Sequence, residues 1–399
     1  MRRKQSVCPR SWRLIIFGEL ADSMRWPPRN SMWLVSTGRL SRIKRLVAIC
    51  LVALLSACGS PRLTGETPSP LPLRSQALPQ ATPLTRIALG SCYAPQLEQA
   101  QVWNAIAAVE PQLLLLTGDN VYQSEERAEP GLRELRDAYA MLASEAEFAA
   151  LRRRTTILAT WDDHDYGLND AGAEFPQRRE SEALFESVWP IPEGAWRADG
   201  EGIYSELIWG PVGRRVQVLM LDSRSFRDSW PSKEQAGSSD ATLLGETQWQ
   251  WLQQRLQMPA DLRLLVSSIP VLSERQEGEN WARMPAERAR LLDLLARRAD
   301  SGLVILSGDT HFGAVLEREA DDETLVELLS SSLNLPITED ARPQLELNDA
   351  ARRGDAIFAA NFGLLEINWD KQAILASLRG DDGALLLQRQ LSFARDAND

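Results

Sequence analysis

Four short apolar runs in this chain break off abruptly into polar clusters, and this pattern narrows the possible architectures most. Residues 86–89 run into Gly90-Ser91-Cys92 and residues 113–116 into Gly118-Asp119-Asn120-Val121-Tyr122. Residues 155–160 run into Trp161-Asp162-Asp163-His164-Asp165, and residues 303–306 into Ser307-Gly308-Asp309-Thr310-His311. Runs this short, rich in branched residues and closed by glycine or polar breakers, fit buried strands better than helices. Helical stretches over 96–108 and from about 132 to 143 separate the first three runs, giving βαβ order. In such an order the carboxyl ends of the strands lie on one edge, where loops converge on a ligand.

Further strands are expected over 216–221 and 262–267, and helices over 246–257 and 285–299. The C-terminal runs 325–329, 363–369 and 373–378 have few helices between them and read as antiparallel strands. The expected fold is α/β in the broad (α+β) sense, with sheets packed on each other and helices outside. No internal repeat is visible, and 399 residues with 44% hydrophobic and 25% charged content suffice for one large globular core.

Charge is uneven along the chain. Of 44 Lys/Arg and 55 Asp/Glu, residues 1–57 hold 11 and 2, which leaves 33 against 53 and a net charge near −20 in the remainder. An acidic body of this kind disfavours nucleic acid, whose binding needs Lys and Arg to neutralise phosphates. No specific nucleic-acid binding is therefore expected, no protein partner is inferred, and a phosphate-bearing ligand would need bound cations or a local arginine.

Arg39, Arg42, Lys44 and Arg45 precede an apolar run over 46–55 and then Ser56-Ala57-Cys58-Gly59, the layout of an export signal. The run is shorter than the roughly 20 residues a spanning helix needs. Leu55-Ser56-Ala57-Cys58 resembles the lipobox of bacterial lipoproteins, in which the cysteine is diacylated and becomes the new N-terminus; the other reading is an ordinary signal peptide with an incidental cysteine. Residues 1–31 fit no part of a signal, so translation is expected to start at Met32. The organisation expected is an extension and signal over 1–57, a lipidated Cys58 with a Pro/Ser/Thr-rich tether over 58–83, and a catalytic domain over 84–399. Gly59 lacks the aspartate associated with inner-membrane retention, so the expected location is the outer membrane, facing the periplasm or the surface. Cys8 and Cys50 would be removed with the signal, leaving Cys92 without a disulfide partner.

The strand-end clusters offer carboxylate, imidazole, thiolate and phenolate, the donors that hard and borderline metal ions take. The chain has two histidines, His164 and His311, and both lie in these clusters. A binuclear centre could activate water and stabilise the leaving oxygen in an in-line displacement, with Asp119 in its tight turn as the bridging carboxylate. Each residue also has a plain structural reading: Gly118-Asp119-Asn120 and Asn169-Asp170 as turns, Cys92 and Tyr122 as core, Asp163 and Asp309 as helix caps, Arg224 as half of a surface ion pair.

The motifs above occur in the order expected of the alkaline phosphatase D family, which the chain resembles over most of residues 84–391. The block Trp161-Asp162-Asp163-His164-Asp165-Tyr166-Gly167-Leu168-Asn169-Asp170 is the most diagnostic piece; Leu221-Asp222-Ser223-Arg224 and Ser267-Ser268-Ile269 add weaker support. The resemblance implies a four-layer metallophosphatase sandwich of two β-sheets flanked by helices, and a centre of Fe(3+) and Ca(2+). It implies Cys92, Asp119 and Tyr122 on the iron side, Asp119 bridging, with Asp163, Asp309, His311 and Asn169 completing the ligand set. His164 becomes the general acid for the leaving alkoxide and Arg224 a clamp on a phosphate oxygen. Pro270, where the family often has glutamine, and Glu277, near a loop that commonly holds histidine, depart from the pattern.

The function so implied is hydrolysis of phosphate esters, small molecules or phospholipids, by a metal-activated water outside the cytoplasm. A catalytically inactive, metal-containing surface lipoprotein that binds a phosphate ligand is the second reading. A serine carboxylesterase is disfavoured because no Gly-x-Ser-x-Gly elbow occurs.

Overall fold

The first three strands, β1 (Arg86–Gly90), β2 (Leu113–Thr117) and β3 (Thr156–Thr160), lie side by side in parallel, and their alternation of side chains creates two cores. On β2, Leu114 and Leu116 face helices while Leu113 and Leu115 face a second sheet, as the period of two in a strand requires. The computed structural model describes residues 71–123, 131–198, 200–232, 234, 236, 239–275, 277–297, 302–320, 323–338 and 349–393. The export signal, the start at Met32 and the lipidated Cys58 lie outside the described residues. No helix among the described residues is long and apolar enough to cross a membrane.

The second sheet contains β4 (Trp196–Arg197), β5 (Ser205–Trp209), β6 (Val216–Met220), β7 (Leu262–Val266), β8 (Gly302–Ser307), β9 (Gly313–Ala320), β10 (Glu323–Leu329) and β11 (Arg352–Ile357). The chain then returns to the first sheet with β12 (Asn361–Asn368), β13 (Ala373–Gly380) and β14 (Leu385–Ser392). The strand orders are β14-β13-β12-β1-β2-β3 and β11-β9-β10-β8-β7-β6-β5-β4.

Leu89, Leu115 and Leu365 of the first sheet meet Val218, Leu264 and Leu306 of the second in a dry layer between them. The outer face of the first sheet is covered by α1 (Gln101–Ala108), α2 (Arg133–Ser144), α3 (Ala146–Arg152) and α5 (Arg178–Val188). The outer face of the second is covered by α6 (Gly245–Arg255) and α7 (Pro285–Ala296), whose Trp249, Leu252 and Leu291 pack on Leu219 and Leu265. Between β3 and α5 lies the single turn α4 (Asp163–Tyr166). The result is the four-layer helix–sheet–sheet–helix sandwich expected.

Three differences from the sequence reading have physical causes. The helix expected over 96–108 begins at Gln101, because Pro95–Leu97 forms a 3-10 turn that Glu98 closes in the left-handed conformation. The tether expected to reach residue 83 ends earlier: from Leu71 onward the segment lies against the body. Leu73 N–H bonds to Val188 O (2.8 Å), Gln76 N–H to Arg152 O (2.8 Å) and Gly210 N–H to Gln80 O (2.9 Å), so its backbone polar groups are satisfied by the domain. Third, β10 pairs antiparallel with β9 but parallel with β8. Its carboxyl end therefore joins the edge where the polar clusters sit, and delivers Ser330, Ser331 and Ser332 there.

Candidate metal centre

Each cluster leaves its strand by a sharp turn. Cys92 (φ 56°), Asp119 (φ 52°), Asp309 (φ 71°) and His311 (φ 59°) all occupy the left-handed region, which residues with a Cβ rarely adopt and which persists where the surroundings enforce it. Gly118 makes one turn possible: it has φ 112°, and a Cβ there would lie 2.7 Å from Asp162 Cβ and 2.9 Å from Asp162 N. The approach brings the ends of β2 and β3 together. Asp162 caps α4 in a reciprocal box with Asp165, which also accepts Asn120 N–H (3.0 Å) and Tyr139 O–H (3.1 Å).

Asp119 stands at the middle, 1% exposed. Its Oδ2 accepts from the Tyr122 hydroxyl at 2.9 Å and from the Cys92 thiol at 3.7 Å, and its Oδ1 accepts from His164 N–H at 3.2 Å. The Tyr122 hydroxyl also lies 3.2 Å from His311 Nε2. His311 Nδ1 faces the Leu335 carbonyl, which can only accept, so Nδ1 carries the proton and the Nε2 lone pair points into the cluster. Asp163 accepts from His164 N–H (3.0 Å) and Asp170 N–H (2.8 Å). The His164 ring lies against Tyr122, with centroids 4.1 Å apart.

Three groups of donor atoms, each within 4.8 Å of one another, result: Cys92–Asp119–His311, Asp119–Asp163–His164 and Asp163–Asp170–Glu279. Asp119 belongs to the first two and Asp163 to the last two, so the groups form a chain. Burial pushes the Cys92 thiol up to about 12 and the Tyr122 hydroxyl well above its usual range. Asp119 is raised by burial and then by the charges of Asp163 and Cys92; Asp309 is raised by burial and then by Asp162, Glu279 and Asp163. Burial also drops His311 to about 4. Thiol, phenol and carboxyls crowded this way resist ionisation together, and cations at their centre are what would let them ionise. By both chemistry and placement the donor set fits a metal centre. Asp163 differs: burial acts upward on it, but His164, Arg224 and the Asp170 amide prevail and hold it down to about 2.

Of the expected site residues, Cys92, Asp119, Tyr122, Asp163, His164 and His311 come together. Asp309 shares their electrostatic neighbourhood from the end of β8. Asn169 is half-buried in the turn after α4, and there the neighbouring Asp170 enters a donor group.

Arg224, expected as a phosphate clamp, is fully buried, with Nε 2.6 Å from Asp162 Oδ1 and a terminal nitrogen 2.6 Å from Glu279 Oε2. Ser268 Oγ, at 2.6 Å, reaches the same oxygen of Asp162. The guanidinium is held firmly charged by its two carboxylates, whereas each carboxylate shares it, so burial still pushes Asp162 up to about 7. Glu279 is missing from the sequence reading, as is Ser331, whose Oγ lies 3.0 Å from the Cys92 sulfur and accepts His311 N–H at 2.9 Å.

The sequence model of the PhoD-like phosphatase family matches residues 87–378, well over half of the chain and all four clusters. The chain belongs to the PhoD-like phosphatase family. Alkaline phosphatase D of Bacillus subtilis (strain 168) is 24% identical over 281 residues, 60% of this chain and 47% of that protein. The PhoD-like chain thus spans about half the length of this relative. The solved structure of PhoD superposes with a TM-score of 0.61 at 17% identity, over 81% of this chain and 74% of the other, a likeness of fold.

Proposed function

We propose that this PhoD-like chain is an exported, metal-dependent phosphoesterase. The observation that carries the reading is the position of Asp119, one carboxylate common to a thiol–imidazole group and a carboxylate–imidazole group. Cys92, Tyr122 and His311 suit a ferric ion, since thiolate and phenolate donate charge to a strongly polarising metal; Asp163, Asp309 and the Asn169-Asp170 turn suit calcium, which prefers oxygen. Such ions, when bound, supply an activated water and neutralise charge on the phosphoryl oxygens.

The chain's own residues do the rest. Asp119 bridges the two halves and, through its Oδ1, fixes the backbone of His164. His164, buried against Tyr122 at the head of α4, gives a proton to the leaving alkoxide. Arg224 orients Asp162 and thereby the α4 turn, without touching substrate.

Elemental analysis of the purified chain, combined with assays on phosphate mono- and diesters with and without chelator, tests this. Iron and calcium are expected, with hydrolysis falling on the order of a hundredfold or more on chelation. A metal-loaded protein that binds phosphate and turns nothing over would point to the binding lipoprotein instead. Lipidation at Cys58 and anchoring to the outer membrane belong to the same proposal, and rest on the signal-like segment before Cys58. Intact-mass measurement of protein taken from membranes is expected to give a diacylated chain beginning at Cys58; an unlipidated N-terminus would remove the anchor.

A further inference from the structure

Three consecutive serines leave the end of β10, and their hydroxyls go to different partners. Ser330 turns to the Asn361 side chain (3.3 Å), while Ser332 accepts Leu335 N–H (2.5 Å) and donates to the Cys92 carbonyl (3.3 Å). Ser331 alone of the three meets two residues of a candidate donor group: its Oγ accepts His311 N–H at 2.9 Å and lies 3.0 Å from Cys92 Sγ. Cys92 and all three serines are fully buried.

The partners fix where the Ser331 proton goes. Among the described residues its hydroxyl has no acceptor besides the Cys92 sulfur. Ser91, whose Oγ is 3.5 Å from the same sulfur, has the Ser330 carbonyl closer, at 3.2 Å, and a carbonyl can only accept, so its proton goes there. Cys92 acting as a metal ligand is a thiolate, which likewise can only accept. The Ser331 O–H then points at the sulfur, in surroundings without water where a hydrogen bond to a charged atom is strong.

We propose that Ser331 is a positioning residue of the metal centre, whose hydroxyl draws charge from the Cys92 thiolate while its oxygen fixes the His311 backbone. The inference rests on the metal-centre reading and adds how the chain tunes one of its ligands. Hydrogen bonding around a cysteine sulfur sets how much charge it donates, and a thiolate that donates less leaves more positive charge for the water the centre activates. The rest of the serine turn serves His311 from the other side. Ser332 holds Leu335 N–H, and the Leu335 carbonyl takes the His311 Nδ1 proton. Asn361 Nδ2 donates to the Ser331 carbonyl at 2.9 Å and anchors the turn to β12.

The full chain, stripped of metal and reloaded with Co(II), tests this, because a cobalt–thiolate bond has a ligand-to-metal absorption band that carboxylate and imidazole lack. Loss of the hydrogen bond raises the energy of the sulfur lone pairs, so the band is expected to move to longer wavelength in Ser331→Ala. Co(II) affinity should fall about ten- to a hundredfold, the usual cost of losing a partner behind a ligand. Ser331→Thr keeps the hydroxyl and should keep the natural band. Ser331→Gly, which also lacks the hydroxyl, decides in place of the alanine variant if that one fails to fold. A purely structural role would lower affinity and leave the band where it is. An unmoved band in the variants without the hydroxyl, or a shift that threonine does not prevent, overturns the inference and leaves the centre standing. Co(II) bound to the natural protein without a thiolate band would remove Cys92 from the centre, and the role of Ser331 with it.

Discussion

Asp119→Ala is expected to lower phosphate-ester hydrolysis by on the order of 10³-fold or more, because it removes the carboxylate common to both halves of the metal centre. The same change should leave the metal-free protein at least as stable as the natural one. Asp119 is buried among Asp163 and Cys92, and burial raises its pKa well above the ordinary 3.8. A carboxyl with a raised folded-state pKa binds its proton more tightly when folded. Its contribution is thus present at low pH and is lost as pH rises from about 3.8 toward the folded value. The metal-free natural protein should lose stability across that rise, and the variant less. Metal addition should raise Tm in the natural protein and do much less in the variant, since stabilisation by a ligand follows its affinity for the folded state. His164→Ala gives the contrast: a loss of roughly 10²- to 10⁴-fold that grows as the leaving group becomes more basic. Natural metal content and natural turnover in Asp119→Ala would remove the residue from the centre.

The strand ends were legible in the sequence because each rests on local information. An apolar run, a tight Gly-Asp or Ser-Gly turn and a donor side chain lie within ten residues, so Cys92, Asp119, Tyr122, Asp163, Asp309 and His311 could be placed on one edge before any pairing was known. What escaped depends on contacts between distant segments. Ser331 reaches Cys92 because β10 inserts parallel to β8, and an apolar run before three serines carries no mark of its pairing direction. Glu279 lies 55 residues from its partner Arg224, in a loop without periodicity. Asp170, which the sequence reading did not single out, has φ 53°, donates its amide to Asp163 and brings its carboxylate into a donor group beside Asn169. The strap over residues 71–83 has the composition of a linker, and only the matching carbonyls and amides on the body make it part of the fold.

Arg224→Met should destabilise the chain by about 3–5 kcal/mol, the cost of leaving buried charges without their partner. The side chains of Arg224, Asp162 and Glu279 are 1%, 1% and 6% exposed, so water cannot substitute for the guanidinium. Arg224→Lys keeps the charge and loses the fork that serves Asp162 and Glu279 at once, and an intermediate loss is expected. Neutralising the partners in the Met background, Asp162→Asn with Glu279→Gln, should restore part of the stability, because the penalty lies in the unpaired carboxylates more than in the missing arginine. Urea unfolding of the four proteins measures this. Turnover separates the two roles that an arginine at this strand end can play. A substrate clamp would raise KM with stability nearly unchanged. The buried pair lowers stability first, and lowers kcat through the displaced Asp162-Asp163-His164 turn, with KM moving little. A stability loss below about 1 kcal/mol, the range of exposed pairs, together with a raised KM, would return Arg224 to the substrate.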